Sequence, residues 1–281
     1  MSILVFGKTG QVAQELQRIL PDATFLGRDC ADLSDPEACA AAITAHAPAA
    51  VINAAAYTAV DRAEEEEALA TLINGDAPAA MARACAAAGI PFVHISTDYV
   101  FDGQGSAPWM PEDRVQPVNA YGRSKRAGEE AVIAAGGAYV ILRTSWVFSA
   151  HGNNFVKTML RLAQSRDALS VVGDQIGGPT SAGAIAQACV AVAGKLGAGA
   201  SSGIHHFAGS PAVSWADFAR AIFKISGDAV TVTDIPTTDY PTPAARPANS
   251  RMNGDSLKQE FGIAPPDWHR NLTDVIKELS A

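Results

Sequence analysis

The sequence predicts an α/β fold, a Rossmann-like doubly wound parallel sheet followed by a smaller C-terminal α/β substrate domain. Three observations predict it. Through residue 148, short apolar runs alternate with longer helical stretches, the pattern that closes into a parallel sheet with right-handed crossovers. The first run, Ile3-Leu4-Val5-Phe6, breaks directly into Gly7-Lys8-Thr9-Gly10-Gln11-Val12-Ala13, a G-x-x-G-x-x-A turn at the head of a helical stretch. Beyond Phe148 the alternation loosens into short segments separated by glycine and proline turns.

Each element follows in order. Residues 2–6 are the first strand and 11–20 the first helix, so Gly7 and Gly10 sit where a backbone approaches a pyrophosphate and helix N–H groups meet it. A P-loop reading of Gly7-Lys8-Thr9 fails, because its first glycine would fall on Ser2. Residues 23–26 form the second strand, ending before Gly27-Arg28-Asp29. An arginine there pairs with the 2′-phosphate of NADP, whereas a carboxylate suits the ribose of NAD, so Arg28 favours NADPH while Asp29 leaves NADH possible. A helix covers 37–46, and strand 50–53 runs into Ala54-Ala55-Ala56-Tyr57-Thr58, small residues that leave room for a ligand at a strand's carboxyl end.

Glu64 to Glu67 reads as a solvated helix face without chemistry. A helix spans 74–88 and the fourth strand 91–96, which ends in Ser96-Thr97-Asp98-Tyr99 and encloses His94, read as a core histidine. A Gly-, Pro- and acid-rich loop, 103–117, precedes the helix 119–135, and strand 139–144 leads into Ser145-Trp146-Val147-Phe148. Helices are expected at 155–165, 182–195 and 215–225, strands at 169–172 and 204–207, and two short helices near Ser256 and Asn271, the latter as a cap. Gly199-Ala200-Ser201-Ser202-Gly203 imitates a hydrolase nucleophile motif but follows a helix instead of a strand, which excludes it. His205 and His206 point to opposite strand faces, which argues against joint metal ligation. The expected division is 1–148, with 182–207 returning to it, as the dinucleotide domain, and 149–181 with 208–281 as the substrate domain.

Composition narrows the function. The 281 residues are 48% hydrophobic and 18% charged, ordinary for a globular protein, and a net charge of −8 argues against nucleic-acid or anionic-membrane partners. Cys30, Cys39, Cys85 and Cys189 lack zinc or redox spacing. With no secretory leader or membrane-spanning run, the expected compartment is the cytoplasm.

The helix at 119–135 carries Tyr121-Gly122-Arg123-Ser124-Lys125. Four residues apart, the phenol and ammonium share a helix face. An ammonium about 4 Å from the phenol is worth roughly 4 kcal/mol at a partly screened dielectric, about three pKa units, enough to bring the tyrosine toward neutrality.

The glycine turn, Asn53-Ala54-Ala55-Ala56, Ser96-Thr97-Asp98 and Tyr121 to Lys125 together resemble the extended short-chain dehydrogenase/reductases. Thr144 to Phe148, Gly152-Asn153-Asn154-Phe155, Pro179-Thr180 and Pro241-Thr242-Pro243-Ala244-Ala245-Arg246-Pro247 extend the likeness over nearly the whole chain to the dTDP-4-dehydrorhamnose reductases within that group. The resemblance implies hydride delivery from NAD(P)H to C4 of dTDP-4-dehydro-L-rhamnose with Tyr121 as proton donor. Lys125 and Thr97 then assist the phenol. The cofactor is expected against Gly7, Gly10, Gln11, Val12, Arg28, Asp32, Leu33, Ala56, Tyr57, Thr58, Tyr121 and Lys125, and the nucleotide sugar against Thr97, Asp98, Trp146 and Asn154.

Some relatives hold Mg²⁺ between glutamates at a dimer interface. Glu15 stands at one such position, but Gly183 replaces another acid, so no metal site is assigned, and either a monomer or a homodimer is expected. A nucleotide-sugar dehydratase or epimerase is the enzymatic rival. Thr97-Asp98-Tyr99 lacks the glutamate of the dehydratase Thr-Asp-Glu. A non-catalytic NADP-binding subunit of the methionine adenosyltransferase beta type is the rival from another class.

Overall fold

The computed structural model describes residues 1–281. Strands β1 (Ile3–Phe6), β2 (Thr24–Leu26), β3 (Ala50–Asn53), β4 (Phe92–Thr97), β5 (Tyr139–Thr144) and the later β10 (Gly203–His206) form one sheet in the order β10-β5-β4-β3-β1-β2. All neighbours are parallel. Such a sheet is buried on both faces, which explains why its strands are apolar runs. Ile3 and Val5 enter one core with Ile52, Val93 and Leu142, while Leu4 and Phe6 enter the opposite one with Val51, Phe92 and Ile141.

Helices α1 (Gln11–Ile19) and α7 (Ala182–Gly197) cover the first face; α2 (Pro36–His46), α4 (Ala77–Ala88) and α5 (Ala120–Ala135) cover the second. Each fully buried Val, Leu, Ile or Phe contributes about 1.5–3 kcal/mol, so these two cores hold the sheet as a rigid platform. A helical connection, the five residues of α3 (Glu67–Thr71) running into a wide five-residue π-type turn at Leu72–Asp76, carries the chain to α4.

A third core lies in the C-terminal half. Helices α6 (Phe155–Ala163), α8 (Trp215–Ser226) and α10 (Trp268–Ser280) bury Val156, Phe218, Ile222, Trp268 and Leu272 against β7 (Ala168–Val172). The short strands β6 (Val147–Phe148) and β9 (Thr180–Ser181) pair with each other, as do β8 (Ile176–Gly177), β11 (Val213–Ser214) and β13 (Asn249–Ser250). Helix α9 (Asp255–Phe261) places Leu257 and Phe261 in the first core, under the sheet.

Three expectations differ from the structure. Strand β12 (Thr231–Ile235), paired with β7, was not expected; its residues are mostly exposed, so it carries no buried alternation to betray it. Asn271 lies inside α10, whose cap is Asp267, four residues earlier, with Asp267 accepting from the His269 N–H at 2.9 Å. The acidic run at 64–67 is not merely a solvated face. Glu64 accepts from the Ala120 N–H at 2.9 Å, Glu66 from the Tyr57 hydroxyl at 2.5 Å, and Glu67 pairs with Arg123 at 2.6 Å. These acids are spent on the first turn of α5 and on the loop after β3.

Candidate active site

In an open parallel sheet a ligand sits beyond the carboxyl ends of the strands, where the chain reverses direction across the sheet. Here the reversal falls between β1, which continues outward to β2, and β3, which starts toward β10. A cleft of about 1020 Å³ opens there, floored by Gly7, Gly10, Ala54, Ala55 and Ser96 and reaching Trp146 and Asn153. Gly7 has φ +113, and a Cβ on it would meet the Ala54 carbonyl carbon at 3.3 Å. Only glycine combines that left-handed backbone with so close an approach. Gly10 precedes α1, whose first N–H groups face the cleft mouth without a side-chain cap, the arrangement that receives a phosphate.

Of the residues expected to meet cofactor, Gly7, Gly10, Gln11, Val12, Arg28, Leu33, Ala56, Tyr57, Thr58, Tyr121 and Lys125 line this cleft. Asp32 does not. Its Oδ1 accepts from the Ser34 N–H at 2.9 Å and so shapes the loop that carries Leu33. Thr97, Asp98 and Trp146 line the far half. Asn154 caps α6, accepting from the Lys157 N–H at 3.2 Å, and donates to Gln11 Oε1 at 2.9 Å; its neighbour Asn153 reaches the cleft instead. Gln11 is thereby anchored by the residue that caps α6.

Helix α5 delivers Tyr121 and Lys125. Asn119 caps it, accepting from the Gly122 N–H at 2.8 Å. Gly122 and Gly128 let it sink: a Cβ on Gly122 would lie 2.2 Å from the Tyr99 carbonyl, and one on Gly128 2.1 Å from that of Asn74. Asn74 in turn brackets Tyr57, accepting from its N–H at 2.8 Å and donating to its carbonyl at 3.0 Å, and donates to Ser124 at 2.9 Å. One buried amide thus locks the 54–58 loop to the helix of the Tyr–Lys pair.

Burial sets the electrostatics. It pushes the Tyr121 phenol well above its ordinary value, the Thr97 hydroxyl opposing this weakly. The Lys125 ammonium is pulled down to about 8, chiefly by burial. The expectation that Lys125 lowers the Tyr121 pKa is not met, because its Nζ is turned to the Ile95 carbonyl, 2.8 Å away. A phenol held protonated is what proton donation requires. Tyr99 packs edge-on against Tyr121, ring centroids 5.4 Å apart, and screens it from solvent.

Three buried polar atoms in the cleft wall have no partner within the protein: Ser96 Oγ, Asp98 Oδ2 and Thr144 Oγ1. Unmet groups of this kind cost about 1–3 kcal/mol each unless a ligand or water completes them. Ser96 and Thr144 were not among the expected contacts; their place at the carboxyl ends of adjacent strands was the available signal. Trp146 adopts φ +50 and stacks on Trp215 at 3.5 Å, an aromatic wall for the far half. Glycine turn, open helix end, unpartnered polar oxygens and a cleft of this volume together fit a dinucleotide beside a second polar ligand.

The whole chain, residues 1–281, matches the family model described as RmlD substrate binding domain. The chain belongs to the dTDP-4-dehydrorhamnose reductase family. A Sinorhizobium fredii dTDP-4-dehydrorhamnose reductase is 46% identical over 99% of this chain and 98% of its own. The crystal structure of the Clostridium acetobutylicum reductase superposes with a TM-score of 0.94 at 37% identity, covering 100% of both chains. That of Bacillus anthracis, in complex with NADP, gives 0.92 at 34% identity over 99% of each. Full coverage on both sides means that family membership extends to the C-terminal half as well as the dinucleotide fold.

Around Glu15, a Cβ on Gly183 would lie 3.5 Å from its Oε2. An acid at 183 would therefore face Glu15, whose present neighbours are Arg18 and His151. No cluster of three or more His, Cys, Asp or Glu groups is placed to hold a metal. No helix is long and apolar enough to cross a membrane.

Proposed function

We infer that this protein is an NAD(P)H-dependent reductase that converts the C4 ketone of dTDP-4-dehydro-L-rhamnose to the alcohol of dTDP-L-rhamnose. The observation that carries the reading is the half-buried Tyr121 of α5 beside the buried Lys125 and the buried Thr97 at the end of β4, in a cleft that begins on the Gly7–Gly10 turn. It stands in a chain related over its full length to dTDP-4-dehydrorhamnose reductases.

Bound NAD(P)H supplies the hydride to C4. The protein's residues handle the oxygen. Tyr121 Oη gives its proton to O4 as negative charge builds there, leaving a phenolate that solvent reprotonates between turnovers. Thr97 steadies the phenol or the substrate oxygen. Asp98 accepts a sugar hydroxyl on Oδ2, a reading supported by that atom's lack of a partner in the protein, and Trp146 covers the sugar. At the other end Gln11 and Val12 present backbone N–H groups to the pyrophosphate, and Arg28 selects the 2′-phosphate of NADPH over NADH.

We further propose the domain division 1–148 with 182–207, and 149–181 with 208–281, the cleft lying between the two parts. The working enzyme is a cytoplasmic monomer or homodimer, without a Mg²⁺ bridge at Glu15 and without nucleic-acid partners. The test is NADPH absorbance on mixing purified protein with dTDP-4-dehydro-L-rhamnose generated in situ. Oxidation that depends on the sugar is expected; its absence would overturn the reading.

A further inference from the structure

Beneath Lys125 lies a buried chain of side chains that the proton transfer does not use, and its donors and acceptors favour one tautomer of His94. The chain starts at the backbone, where the Ala55 N–H donates to Asn53 Oδ1 at 3.1 Å. That bond fixes the amide, because a flipped Asn53 would set two donors against each other. Asn53 Nδ2 therefore faces His94 Nδ1, 3.2 Å away, and can only donate to it. With Nδ1 accepting, the neutral imidazole carries its proton on Nε2. Nε2 lies 3.4 Å from Lys125 Nζ.

An N–H aimed at Nζ is received by the lone pair of an amine and opposed by an ammonium, which has none. Charging His94 instead is costly, since Asn53, His94 and Lys125 are 1%, 0% and 2% exposed. We propose that His94, locked as the Nε2–H tautomer by Asn53, is a positioning residue that weights Lys125 toward its neutral amine, so that this lysine gives up its charge more readily than an exposed one.

The other groups around Lys125 leave that role to His94. Glu129, one turn along α5, favours the ammonium, but Arg143 from β5 holds its carboxylate at 2.7 and 2.9 Å. Tyr121 is a neutral phenol, and the π-type turn presents only the uncharged Asn74, to Ser124. Burial already draws the ammonium down to about 8; the imidazole N–H acts in the same direction.

The inference rests on the reductase reading for its purpose but is tested without substrate. Long-range ¹H–¹⁵N spectra of the unliganded wild-type protein report the His94 tautomer, and ¹³Cε-lysine spectra report the Lys125 titration. The Nε2–H form is expected. Asn53→Asp changes one atom: its second carboxylate oxygen accepts from His94 Nδ1–H, inverts the tautomer and turns the Nε2 lone pair toward Lys125. The lysine midpoint then rises by about one pH unit or more, the worth of a charge-assisted hydrogen bond, and the pH profile of kcat/KM moves with it. An Nδ1–H tautomer in the wild type would overturn the proposal even if the variant did not fold. So would an inverted tautomer in Asn53→Asp with an unmoved Lys125. Failure of the reductase assay alone leaves both spectra readable and strikes only the reading above.

Discussion

Glu64 caps the helix that carries Tyr121: its Oε1 accepts a hydrogen bond from the Ala120 backbone N–H at 2.9 Å, across 56 residues of sequence. Helix starts leave such N–H groups unmet, and a carboxylate there also meets the positive end of the helix dipole. Glu64→Ala is expected to lower stability by about 1 kcal/mol, the usual worth of a lost N-terminal cap, as measured by urea unfolding. Glu65→Ala, at the exposed neighbouring position, should change it by less than about half of that. Equal losses in the two variants would show that the capping contact contributes nothing particular.

Tyr121→Phe removes the transferable proton and little else, because the ring packs edge-on against Tyr99 with or without its hydroxyl. Reductase kcat should fall by about 10²- to 10⁴-fold, the range for loss of a general acid, while NADPH binding measured by fluorescence stays within a few-fold. Turnover near the wild-type rate would remove Tyr121 from the chemistry.

The fold was legible in the sequence because its evidence is local. Apolar strands, the glycine turn and the helix caps each declare themselves within a few residues, and the two strands β3 and β5 fall at the expected bounds. The cleft lining was legible where a motif presents side chains to it, as with Tyr121 and Thr97. A contact was not legible where a side chain works through a distant partner. Glu64 and Glu67 read as solvent-facing charge because only the folded chain brings Ala120 and Arg123 to them. His94 read as core packing for a similar reason: it is buried, but what it touches, Asn53 and Lys125, is 41 and 31 residues away. Asp32 and Asn154 show the converse, motif residues whose side chains shape the loop that holds the lining residue.

Gly128 tests how closely α5 must approach Asn74. A Cβ placed 2.1 Å from the Asn74 carbonyl oxygen cannot be absorbed by a side-chain rotation, because the opposing atom is backbone. Gly128→Ala should therefore destabilise by about 1–3 kcal/mol, as overpacking does, despite the higher helix propensity of alanine. It should also raise the KM for cofactor, since Asn74 holds Tyr57. A neutral or stabilising effect in thermal unfolding would mean that the helix sits further out.

Arg28 lines the cleft beside Gly27 and Asp29, just past the end of β2. If it receives the 2′-phosphate, Arg28→Ala raises the KM for NADPH by about tenfold, one charged hydrogen bond's worth, and leaves that for NADH within about twofold. Parallel initial-rate series with the two cofactors decide it. A wild-type enzyme that uses NADH as well as or better than NADPH would remove the assigned preference.

Asp98 sets site chemistry against stability. Its carboxyl is 2% exposed with Oδ2 unpartnered, and burial pushes its pKa from 3.8 up to about 6 although the Ser250 and Thr97 hydroxyls pull the other way. Between those two values the folded protein binds more protons than the unfolded chain, so unfolding free energy falls as pH rises, by up to about 3 kcal/mol over the window. The cost is absent below pH 3.8 and complete above about 6. Asp98→Asn keeps the acceptor for the Thr97 hydroxyl, 3.1 Å away, and removes the buried charge. The variant should therefore gain on the wild type progressively from pH 4 to pH 6 and hold that advantage to pH 8, read as the difference in urea midpoints. Its KM for the nucleotide sugar should rise over the same upper range, because an amide nitrogen cannot accept the sugar hydroxyl that Oδ2 is placed to receive. A stability difference that shrinks with rising pH would mean that the Ser250 and Thr97 hydroxyls outweigh burial and hold Asp98 ionised in the folded protein.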